Sequence, residues 1–319
     1  MAMIESLLQF LDQFDYTPEI INEEHFNSYS RFILNGMGGS HLHADLLTAL
    51  DPSLDLTVRS TYGIPEHSTD DTLLIASSHS GNTEEVIDFA HNALEANRPL
   101  VCIATGGSLI DFAHEHDVPY IQMPDTGIQP RTALGFALLA LVKVVKPERV
   151  DEIKALKETF DVEGARLQGE EIAERLRDHF PVINASVDNT SIAYNWKIKC
   201  NETGKIPSFY NIFPELNHNE MQGFDVAESN KHISERIKFI FIRDDRDHDR
   251  ISRRMDVCGS QYEERGFDVI STHLSGDHYL TRAFNSLLTA DWMALKIAEI
   301  YGTEPEEVPM IEEFKDRIA

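Results

Sequence analysis

Four segments of the chain carry residue types that suit chemistry. Gly36-Met37-Gly38-Gly39-Ser40 joins a short apolar run to a stretch with helical spacing. Glycines there let the backbone approach a ligand, and the helix start behind them offers free N–H groups and partial positive charge. The strict dinucleotide fingerprint needs a third glycine at position 41, which is His41 here. A nicotinamide site is therefore disfavoured against an anion site or a plain tight turn. Ser78-His79-Ser80-Gly81-Asn82-Thr83 sits at a second strand-to-helix turn. Its three hydroxyls and several N–H groups suit a phosphate monoester, which needs many donors and no nucleophile. The alternatives are an activated serine, although the GxSxG elbow is absent, or simple capping of the next helix by Thr83.

The third segment, Gln129-Pro130-Arg131-Thr132-Ala133, places Arg131 just ahead of an apolar helix. The fourth combines Asn201-Glu202-Thr203-Gly204-Lys205 with Pro214-Glu215-Leu216-Asn217-His218-Asn219-Glu220. Glu202 and His218 suit a general base and a second acid–base group. On local grounds alone, a solvated arginine explains the third segment equally well, and solvated polar loops explain the fourth better than an acid–base pair does.

The elements that must hold these groups alternate. Apolar runs at 31–35, 54–59, 71–78, 99–105 and 119–124 read as strands. Between them, 42–51, 84–97 and 109–117 have helical spacing, and 132–146 is an apolar helix. Strands alternating with helices, with Gly/Ser turns at strand ends, predict an α/β fold with a doubly wound parallel sheet. The second half repeats this less cleanly. Strands are expected at 181–186, 237–243 and 267–274, a long helix or helix pair at 278–302, and a terminal helix. The expected organisation is a first domain over 1–148, a charged helical connection over 149–170, a second domain over 171–302 and a C-terminal helix over 303–319.

Composition narrows the functions. The 319 residues hold 28 Lys+Arg against 54 Asp+Glu, a net charge of −26. The first 130 residues have three arginines and no lysine against twenty acids, which leaves them at −17. Nucleic-acid and anionic-membrane binding both need clustered cations, so neither partner is expected. Three separated cysteines without CxxC spacing fit a reducing compartment. The acidic start lacks a secretory n-region, and the longest apolar run is too short to span a bilayer. The expectation is a soluble cytoplasmic protein.

Two clusters invite a metal reading. His41, His43 and Asp45 are close in sequence, but residues two apart do not share a helix face. The 244–250 run lacks the glycine and closing glutamate of a calcium loop, and is expected to be solvated.

In this order, GMGGS (36–40), SHSGNT (78–83), GIQPRTALG (127–135), NETGK (201–205) and PELNHNE (214–220) resemble the bifunctional phosphoglucose/phosphomannose isomerase family. That family is built from two sugar-isomerase (SIS) domains. VPMIEEFK (308–315) is a weaker match to its terminal helix. The resemblance implies two doubly wound domains whose parallel sheets are flanked by helices, with the C-terminal helix packing at the active site. It implies a hexose 6-phosphate substrate. Its phosphate would lie on Gly38, Gly39, Ser40, Ser78, Ser80 and Thr83. Glu202 takes the place of the base that carries a proton between C2 and C1 through a cis-enediol(ate). Arg131 takes the place of the arginine that stabilises this anion. His218 and Lys315 match the residues that open the sugar ring, with His218 contributed by the neighbouring subunit of a homodimer. No metal or organic cofactor is implied. The chain departs from the family pattern at His79 (usually Tyr), at Ser108 (where GGK is common), at Thr203-Gly204 and at Glu304-Pro305-Glu306-Glu307. Two other functions fit the same domains: a sugar-phosphate sensor without turnover, and an isomerase of an aminosugar phosphate.

Overall fold

The structure is a computed structural model that describes residues 3–66 and 68–318. The chain divides into two compact units, Met1–Thr159 and Phe160–Ala319.

The first unit runs α1 (Met3–Leu8), β1 (Arg31–Asn35), α2 (Leu42–Leu50), β2 (Asp55–Arg59), β3 (Thr72–Ser77), α3 (Glu84–Glu95), β4 (Leu100–Ala104), α4 (Gly107–Glu115), β5 (Tyr120–Gln122), α5 (Leu134–Val145) and α6 (Val150–Ala155). All five strands pair in parallel, in the order β2-β1-β3-β4-β5. β3 and β4 are buried along their whole length. That is why they read as continuous apolar runs rather than alternating ones. Val86, Phe89, Ala90 and Ala93 of α3 pack on one face, with Leu109, Phe112 and Ala113 of α4 beside them. α5 is apolar on nearly all sides because it is buried along nearly all its length.

The second unit contains α7 (Val162–Arg175), β6 (Phe180–Ser186), α8 (Thr190–Glu202), β7 (Phe209–Phe213), β8 (Ile237–Arg243), α9 (Asp249–Glu264), β9 (Val269–His273), α10 (Tyr279–Tyr301) and α11 (Pro309–Ile318). Its four strands are also parallel, in the order β7-β6-β8-β9. Phe213, Leu216, Phe239, Phe241 and Tyr262 form an aromatic core under α9. Phe239 and Tyr262 stack at 4.1 Å. The 278–302 segment is one helix, and α7 packs along it. Gly169 permits this approach: a β-carbon there would lie 2.5 Å from the Thr289 carbonyl oxygen.

One correction concerns the acidic run at 244–250. Asp244 and Asp247 are 7% and 8% exposed, so this loop is not simply solvated. Asp244 lies 3.3 Å from the buried Arg282 guanidinium of α10, a partner 38 residues away that no local pattern announces. Among the described residues, no helix is long and apolar enough to cross a membrane.

Candidate functional site

In the first unit, both glycine- and hydroxyl-rich loops leave the C-terminal ends of adjacent strands. β1 feeds 36–41 and β3 feeds 78–83. These two strands flank the point where the strand order reverses, because β1 connects outward to β2 while β3 leads to β4 on the other side. A crevice opens at such a point, with helix N-termini facing it.

The loops are tied to each other. Ser40 Oγ accepts the His79 N–H at 2.9 Å, and Ser77 Oγ donates to the Ser40 carbonyl at 2.8 Å. Ser78 is 0% exposed, and its hydroxyl meets Thr83 Oγ1 at 2.9 Å while accepting from Gly81 N at 3.0 Å. The Thr83 hydroxyl makes no bond to the backbone of α3, so capping does not account for it. Ser80 is exposed and Thr83 half-buried. Gly81 has φ +73°, and a β-carbon there would fall 1.7 Å from the Gly106 carbonyl oxygen. This turn is open to glycine alone. Asn82 Oδ1 accepts from both the Ser108 N–H and hydroxyl, at 3.0 and 3.1 Å. The Thr105 hydroxyl donates to the His79 carbonyl at 2.8 Å, so Ser108, Thr105 and Ser77 together brace the two loops. The sequence reading missed Thr105 and Ser77, which look like ordinary strand ends.

Arg131 lies in a short 3-10 turn (Pro130–Thr132) and is only 2% exposed. It is not a solvated surface arginine. Gly39 sits against it: a β-carbon on Gly39 would be 3.0 Å from Arg131 N. The His79 ring is partly buried, which lowers its pKa, while the Ile128 backbone and Asp125 pull the other way. His41 Nδ1 and Asp45 Oδ2 pair at 2.7 Å. His43 is fully buried and its pKa falls to about 3, chiefly through desolvation. Among the described residues, no three His, Cys, Asp or Glu side chains gather as a metal site.

In the second unit, Glu202 is the last residue of α8 and is half-buried. α8 is held against α10 by a buried ion pair, Lys199 Nζ to Asp291 Oδ1 at 2.6 Å, both nearly inaccessible. Nothing in the local sequence marks Lys199 as buried. His218 is exposed, on a 3-10 turn (Glu215–His218) that follows β7. Leu216 anchors this turn in the aromatic core, and Asn211 Nδ2 donates to Glu220 Oε2 at 2.6 Å behind it. A concave pocket of about 250 Å³ opens beside His218, with Asn217, Gln261 and Arg265 among its walls. Lys315 is exposed on α11 and paired with Glu312 at 2.7 Å. All of α11 is exposed, including Met310, Phe314 and Ile318.

The fold defines a class first. The C-terminal domain of glucosamine-fructose-6-phosphate aminotransferase from Francisella tularensis matches with a TM-score of 0.69, at 15% identity, over 96% of each chain. The two units therefore have SIS-type folds. A family model described as bacterial phospho-glucose isomerase C-terminal SIS domain matches residues 166–318. The bifunctional phosphoglucose/phosphomannose isomerase of Aquifex aeolicus is 31% identical, covering 97% of this chain and 96% of its own. The enzyme of the same name from Caldicellulosiruptor bescii is 30% identical over 99% of both. D-glucosamine-6-phosphate 4-epimerase of Sulfolobus acidocaldarius is 28% identical over 62% of this chain and 65% of its own. The chain belongs to the bifunctional phosphoglucose/phosphomannose isomerase family and is an isomerase.

Proposed function

We propose that the protein interconverts glucose 6-phosphate, and also mannose 6-phosphate, with fructose 6-phosphate. The observation that carries this reading is the near full-length relationship to bifunctional isomerases, with the quoted motifs in order. The local geometry supports it. The first unit offers neutral hydroxyls and N–H groups at a sheet switch point, which suits a phosphate without lysine. The exposed Ser80, with Ser40, Thr83 and the Gly38–Gly39 backbone, holds the phosphate oxygens. Ser78, wholly buried, orders the loop beneath them.

Glu202 removes the C2 proton of the open-chain aldose and returns it to C1 of the enediol(ate), so one group serves as base and then as acid. Arg131 has a fixed charge whatever the pH, and stabilises the oxygen anion that develops between the two transfers. His218 and Lys315 assist ring opening, with His218 supplied by the second subunit of a homodimer.

The deciding experiment incubates the purified protein, without added metal, with fructose 6-phosphate and detects both aldose phosphates by coupled assay. Both products are expected. Glu202→Gln is expected to lower kcat by about 10²–10⁴-fold with little change in KM. Full turnover in that variant would remove Glu202 from the role. The partial likeness to the epimerase motivates a second arm with D-glucosamine 6-phosphate, where turnover exceeding that on fructose 6-phosphate would reassign the substrate.

A further inference from the structure

We infer that Lys205 is a positioning residue that couples the C-terminal end of α8 to the root of the C-terminal helix. The inference rests on reading Glu202 as the base and Lys315 as a group that assists ring opening.

Two observations carry it. The first is the reach of the ammonium group. Lys205 Nζ donates to the carbonyl of Glu202 and to the carbonyl of Glu307. The Glu202 contact alone is ordinary, since a cation satisfies an orphan carbonyl and the negative end of a helix. The Glu307 carbonyl is 102 residues away and lies just before α11. Capping does not explain it. That segment is itself ordered, because the Glu304 carboxylate accepts the N–H groups of Glu306 and Glu307 at 2.9 and 2.6 Å. One lysine thus joins the helix end bearing Glu202 to the segment from which the helix bearing Lys315 starts.

The second observation is the backbone. Lys205 has φ +56°, a left-handed conformation that favours glycine after a helix. A glycine stands one residue earlier, but Gly204 is not left-handed. It is there for space: a β-carbon would lie 2.9 Å from the Cys200 carbonyl oxygen and 3.4 Å from Ile297 Cγ2. The position whose conformation calls for glycine is therefore filled by a lysine. The side chain is what the site uses, and the backbone strain accompanies it.

The test exploits this separation. Lys205→Gly keeps the left-handed turn and removes the ammonium, so a residue that served the turn alone would show unchanged kcat and an equal or higher Tm. The expected result is kcat lower by about tenfold or more, KM for fructose 6-phosphate within about twofold, and Tm held. Lys205→Met is measured alongside, so that a folding failure of one substitution leaves the other. A cycle with Lys315→Met in the full chain then asks how the effect travels. If Lys205 works by setting the root of α11, its loss slows the Lys315→Met protein far less than the wild type. Unchanged kcat in both Lys205 variants overturns the inference, as do losses that multiply fully in the double variant, or full turnover in Lys315→Met alone. Full turnover in Glu202→Gln would instead strike the base assignment, a separate result.

Discussion

The backbone nitrogen of Arg131 lies 3.0 Å from the place where a β-carbon on Gly39 would stand, and the Pro130 carbonyl carbon is equally close. Gly39 and the arginine turn are therefore in direct backbone contact, although 92 positions separate Gly39 from Arg131 in the chain. Gly39→Ala has backbone on the other side, which cannot rotate away as a side chain would. It is expected to cost about 1–3 kcal/mol by overpacking, read from urea unfolding. It also moves Arg131, so kcat/KM is expected to fall by about tenfold or more. A variant with wild-type kinetics would show that the turn tolerates displacement.

The Lys199–Asp291 pair lies almost wholly out of solvent. Removing one partner leaves a buried charge, a loss of about 3–5 kcal/mol. Lys199→Met and Asp291→Asn should each lower the urea midpoint strongly. The Lys199→Met/Asp291→Leu double variant, which buries no charge, should recover much of that loss. If each single change costs less than the double one, the pair is not coupled as the geometry indicates.

His43 yields a pH signature. Its ring is buried and neutral, with a folded pKa of about 3 against an ordinary value of 6.5. Between these values the unfolded chain binds a proton that the folded chain does not. Stability contributed by this residue is therefore complete above 6.5 and is lost as pH falls towards 3, with a limiting slope of about 1.4 kcal/mol per pH unit. His43→Leu should flatten the dependence of unfolding free energy on pH by up to one proton in that window. An unchanged slope would mean that the ring is already protonated or already solvated in the native state.

The first 130 residues carry a net −17, which repels a dianionic substrate. The proposed cradle answers with neutral donors rather than cations. Added salt between about 0.05 and 0.5 M should then raise kcat/KM for fructose 6-phosphate by screening the approach, with a smaller effect on kcat. A steep fall over the same range would point to an attractive field that the sequence does not contain.

Much of the fold is legible in the residues of the first unit. Its central strands are buried on both faces, so β1, β3 and β4 appear as apolar runs that break at small polar residues or Gly. The second unit is harder to read for identifiable reasons. β7 is a five-residue edge strand, largely exposed and interrupted by Asn211, and lacks that signature. α8 and α9 also escaped the reading. α8 buries Lys199 among its apolar residues, which blurs the helical pattern.

The sequence alone determined the α/β class, the loops that end β1 and β3, and the motif order that identifies the family. It did so because glycines, hydroxyls and apolar runs have local consequences. The tertiary structure decided which of those groups are spent internally. Ser78 is committed beneath its loop while Ser80 stays open, Arg131 is buried against Gly39, and Lys205 reaches a carbonyl 102 residues away. None of this follows from neighbours in the chain. Burial and hydrogen-bond partners are set by which strands and helices pack together, and those contacts join positions that the sequence keeps far apart.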